Sequence, residues 1–150
     1  MMDWIKNIKF SKILWATLSY AIIATVLHQI ESIFTMNFYL LESYFGTWSK
    51  FMMSKAGPPE PIFYILSMLF SLISGFLIAS VYYFLKDHLT QDYWKKVISF
   101  SLLLFIISIV TFTLPCILLF HLPIGLVLSW ILTSIFIYFF GSMVFVKIIG

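Results

Sequence analysis

Four long apolar stretches run along the chain, broken by short polar or proline-rich segments. They cover 13–30, 62–85, 97–119 and 124–146. A helix needs roughly 20 apolar residues, at about 1.5 Å each, to cross about 30 Å of hydrocarbon. The pattern therefore predicts an all-α integral membrane protein, with four transmembrane helices forming a single domain over residues 1–150.

The segments between the stretches differ in kind. Phe120, His121, Leu122 and Pro123 make a turn so tight that the third and fourth spans must be an antiparallel hairpin. Residues 86–96 form a short charged loop. Residues 31–61 are too polar to span and too aromatic for a plain solvent loop. Ile33, Phe34, Phe38, Leu41, Phe45, Trp48 and Met52 approximate a helical stripe, with Asn37, Glu42, Ser43, Ser49 and Lys50 opposite. This predicts an amphipathic interfacial segment between the first two helices. Gly57, Pro58, Pro59, Glu60 and Pro61 then end it and stiffen the entry to the second span.

Charge sets an orientation. Lys6, Lys9 and Lys12 precede the first span, Lys86, Lys95 and Lys96 lie between the second and third, and Lys147 closes the fourth. Lys50 and Lys55 alone fall on the other side. The positive-inside rule then makes both the N- and C-termini cytoplasmic, as an even number of spans requires. Trp4, Tyr82, Tyr83, Tyr93 and Trp94 fall near the predicted inner interface, where amphipathic rings collect. The lysines ahead of the first apolar run resemble a signal peptide. The run leads into His28, Gln29, Ile30 and Glu31, without a small-residue cleavage site, and so reads as an uncleaved span.

Composition narrows the class. Of the 150 residues, 62% are hydrophobic, 20% aromatic and only 10% charged. A soluble globular domain carries roughly 25% charged residues, and disordered chains are poor in aromatics. The net charge of +3 follows from orientation and calls for no nucleic-acid partner. Every basic residue is Lys, so an Arg clamp on phosphate is excluded. The one cysteine, Cys116, has no partner within the chain for a disulfide or for Cys-pair redox chemistry.

Chemistry-bearing residues gather at the predicted outer face. His28 and Glu31 share a helix face three residues apart, and His121 lies in the outer turn. Two imidazoles and a carboxylate suit a transition metal or acid–base work. The same residues also belong where water begins, and neither a metal nor a cofactor is expected. Small residues recur every four positions: Ser67, Ser71, Gly75 and Ala79 in the second span, and Gly125, Ser129 and Thr133 in the fourth, with Gly141 further along. The first span adds Thr17, Ala21 and Thr25. Such stripes let helices approach closely. Pro115 removes a backbone hydrogen bond and predicts a kink in the third span, eased by Thr111 and Thr113. In the inner loop, Asp87, His88 and Asp92 read as a solvated, charge-balanced group. No Asp, Glu, Lys or Arg falls near the middle of any predicted span, which argues against an ion-coupled pump.

Small size, smooth stripes and 17 Phe residues lead to the expectation of a non-catalytic subunit or scaffold of a larger membrane complex. Its partners would be membrane lipids and other membrane subunits or a second copy of the chain. Two alternatives stand beside it. One is an outer-leaflet enzyme using His28, Glu31 and His121 on a lipid-like substrate. The other is a carrier or binder of a neutral apolar molecule, which requires a cavity among the helices.

Overall fold

The computed structural model describes residues 10–48 and 59–150, and among these it is all-helical. Four helices are long and apolar enough to cross a membrane: α1 (Phe10–Tyr39), α2 (Pro61–Leu85), α3 (Tyr93–Leu119) and α4 (Ile124–Ile148). Local signals account for most of their ends. Pro61 opens α2 at a position whose N–H would have no helical partner. The Asp92 side chain accepts from Lys95 N at 2.9 Å and caps α3. Pro123 precedes α4 and accepts from Leu126 N and Val127 N. Asp92 is thus a helix cap within the charged loop.

The first helix does not end at residue 30. It continues to Tyr39, so residues 31–39 extend α1. No Gly or Pro interrupts residues 10–45, and the polar residues beyond 30 find partners inside the helix. Ser32 Oγ donates to Gln29 O at 2.9 Å, and Thr35 Oγ1 donates to Glu31 O at 2.9 Å. The chain then turns through a short 3-10 helix, Glu42–Thr47. Trp48 packs on Tyr39, with ring centroids 5.1 Å apart. The remainder of the expected amphipathic stripe, including Ser49, Lys50 and Met52, lies outside the described residues, as do Trp4 and the lysines at 6, 9 and 55.

The third helix is irregular where a kink is expected. Residues Ile109–Thr113 form a π-helical turn just ahead of Pro115, with Leu114 N bonded to Ile109 O. Such a turn holds one residue more than an α-turn, and it carries the chain past the missing proline N–H. Thr111 Oγ1 donates to Ile107 O at 2.7 Å, while Thr113 is buried.

Helices α1 and α4 form the central pair, with α2 packed on α1 and α3 packed on α4. The core sits toward the end of the bundle that holds Phe10, Gly150 and the 86–92 loop, here the proximal end. Tyr20, Tyr82, Phe100 and Phe145, one from each helix, make an interlocking aromatic cluster. Tyr20 stacks on Phe145 at 5.5 Å, Phe145 on Tyr82 at 6.2 Å, and Tyr82 meets Phe100 edge-on at 5.0 Å. There α2 and α3 come together. Toward the distal end they separate.

Candidate functional site

The separation of α2 from α3 leaves two cavities that share a wall. The deeper one, of about 530 Å³, lies between the two helices over a floor of α1 and α4. Ser71 and Ser74 of α2, Ser108 and Thr111 of α3, and Ser134 and Tyr138 of α4 bring hydroxyls to its lining. The outer one, of about 470 Å³, lies between α1 and α2. His28, Phe70, Ser71 and Trp130 line both. Both cavities carry hydroxyls and rings; Tyr39, Phe63, Tyr64, Phe70 and Trp130 border the outer one.

Glu31 borders the outer cavity. It is only 8% exposed, and its Oε1 accepts from Thr35 Oγ1 at 2.8 Å and from Ser129 Oγ at 2.7 Å. One residue along α4 from Ser129, Trp130 Nε1 donates to the Tyr39 hydroxyl at 3.0 Å. Two polar links thus tie α1 to α4 through adjacent α4 residues. Glu31 lies about two turns before the end of α1, and its partner Ser129 about one and a half turns inside α4. The carboxyl group is therefore within the helical body of the bundle and not at a frayed helix end. Of residues 28–32 only Glu31 is buried, inside one continuous helix, a distinction hydropathy alone does not make.

The other expected site residues are distributed as follows. His28 lines both cavities with Glu31 one turn further along the same helix, bordering the outer one. His121 lines neither and packs against Tyr44, with ring centroids 5.2 Å apart. Among the described residues no group of three or more His, Cys, Asp or Glu is placed to hold a metal ion. Cys116 is a buried free thiol.

The small-residue stripes divide by position. On α2, Ala79 and Gly75 are buried, while Ser71 and Ser67 line the cavity. A Cβ on Gly75 would lie 3.1 Å from the Thr17 carbonyl oxygen, so α1 and α2 are at closest approach there. On α4, Gly125 receives the ring of Phe38, Ser129 holds Glu31, and Gly141 receives the ring of Tyr20. Thr133 lines a smaller groove between α1 and α4 on the other side of Glu31. The α4 stripe therefore faces α1 along its length. Sequence reasoning passed over Trp130, Tyr39 and Thr35; the i, i+4 pairs Glu31–Thr35 and Thr35–Tyr39 were the available signal.

Comparison with protein-family models, with curated proteins and with solved structures returns no match.

Proposed function

We propose that this is a multi-pass membrane protein, with both termini cytoplasmic, that binds or carries a small lipid-like molecule in the space between α2 and α3. The observation that carries this reading is the pair of adjoining cavities, of about 530 and 470 Å³. Each is in the range of small-molecule sites, about 300–1,000 Å³. Serine and threonine hydroxyls give a guest hydrogen-bond partners without the desolvation cost of a fixed charge. The aromatic rings and the apolar flanks of both helices suit its hydrocarbon part.

A structural subunit of a larger complex is the second reading. Only 11% of the apolar stretch of α2, and of α3, is buried within the chain. The rest is surface for lipid or for a neighbouring membrane helix. The outer-leaflet enzyme has less support, because His121 is turned to Tyr44 and away from His28 and Glu31.

Native mass spectrometry of the protein released from lipid nanodiscs separates the first two readings. The binder reading expects one-to-one adducts with small amphiphiles, lost when Ser74→Phe and Ser108→Phe fill the deeper cavity. Adduct-free protein that co-purifies with stoichiometric membrane partners would favour the subunit reading.

A further inference from the structure

The buried carboxyl group and the rings around the outer cavity define a ligand chemistry. Among the described residues, Glu31 is the one acidic side chain in the lining of either cavity, and no lysine borders the outer cavity, the deeper cavity or the groove behind Glu31. A carboxylate offers about four acceptor positions. The two protein hydroxyls both fall on Oε1, so the group has capacity for a further donor or cation. A cationic guest brought against a carboxylate offsets the cost of holding that charge away from water.

The surrounding side chains point the same way. Tyr39, Phe63, Tyr64, Phe70 and Trp130 border the space that Glu31 borders. Aromatic faces attract cations through the ring quadrupole, most strongly when both are desolvated, and cages of such rings are a recurring solution for alkylated ammonium groups. Among the described residues, one carboxyl group, the His28 imidazole and several rings line the pocket, and no lysine does. The deeper cavity adjoins it, and His28, Phe70, Ser71 and Trp130 line both.

We infer that the ligand is an alkylammonium amphiphile whose charged head docks between Glu31 and the aromatic rings of the outer cavity, with its chain lying in the hydroxyl-lined cavity between α2 and α3. This rests on the binder reading above and adds the charge of the guest. The shared chemistry covers a free amphiphilic amine and the ammonium headgroup of a membrane lipid.

The test compares dodecyltrimethylammonium with its neutral isostere, in which carbon replaces the nitrogen. Both are titrated onto the protein in phosphatidylglycerol nanodiscs, which contain no ammonium lipid, and adducts are counted by native mass spectrometry. The ammonium compound should bind about tenfold more tightly than the isostere, the scale expected for a desolvated cation on aromatic faces. Glu31→Gln should bring the two within about twofold, and a monodisperse profile in detergent shows that the variant is folded. Equal binding of the two compounds by the unaltered protein overturns the ammonium assignment and leaves the binder reading standing. Absence of any adduct with either compound overturns both. Repeating the titration in phosphatidylcholine nanodiscs assigns the source. Loss of dodecyltrimethylammonium binding there identifies a lipid headgroup as the occupant, and unchanged binding identifies a free amine.

Discussion

The ring of Tyr20 fills the space that a side chain on Gly141 would need. A Cβ on Gly141 would lie 2.7 Å from Tyr20 Cδ2, and one on Gly75 would lie 2.9 Å from Tyr20 Cδ1. The ring is thus gripped between glycines of α2 and α4 while it stacks on Phe145. Gly141→Ala should destabilise the protein by about 1–3 kcal/mol through overpacking. In a Tyr20→Ala background the same substitution should cost much less, since the clashing ring is gone. Unfolding titrations in mixed micelles across the four proteins of this cycle measure the coupling, and additive effects would contradict the wedge.

The Glu31–Ser129 bond joins α1 to α4 at 2.7 Å in a setting where Glu31 is 8% exposed. Ser129→Ala should cost about 1–3 kcal/mol, because a buried acceptor loses one of its donors. Its effect should shrink sharply once Glu31 is already Ala. A cycle built from Glu31→Ala and Ser129→Ala, read by the same unfolding assay, reports the pair directly.

The π-turn Ile109–Thr113 carries one residue beyond what an α-helix would need. Deleting Val110 should convert it to an α-turn and preserve the faces on either side. Deleting Leu103, from the regular part of α3, should rotate every following side chain by about 100°. The first variant is expected to retain a monodisperse profile in detergent and the second to aggregate. The reverse order would show that the turn is not an insertion in an otherwise regular helix.

Labelling should distinguish the two ends of the bundle. In a Cys116→Ala background, Ser74→Cys and Ser108→Cys border the deeper cavity and should react with small methanethiosulfonate reagents. Ser142 has no exposed surface, and Ser142→Cys should resist them until the protein unfolds. Protection of Ser74→Cys and Ser108→Cys as strong as that of Ser142→Cys would mean that the space between α2 and α3 is closed in solution.

Hydropathy made the four helices legible, because nothing but a helix hides its own backbone polar groups across a long apolar run. The tight turn at 120–123 likewise foretold the α3–α4 hairpin. The extent of α1 was not legible. His28, Gln29, Glu31 and Ser32 look like the point where a chain meets water, yet Glu31 is held by Thr35 from its own helix and by Ser129, 98 residues away. Long-range partners of that kind leave no local trace. The small-residue stripes signalled close contact without revealing its form. Gly125 and Gly141 admit rings, of Phe38 and Tyr20, and Ser67 and Ser71 border a void. Pro115 signalled a distortion, but its expression as a π-turn depends on how α3 packs along α4.

The aromatic cluster at the proximal end gives α2 the mechanics of a lever. The helix is clamped from Gly75 to Tyr82, where it meets Tyr20, Phe100 and Phe145. Its other arm, Pro61–Ser74, runs along the cavities with no ring stack to hold it against α3. Those 14 residues reach about 21 Å, so a swing of about 5° about the clamp would carry the far tip through about 2 Å. A displacement too small to disturb the knot at the fulcrum is enough to change the width of the mouth.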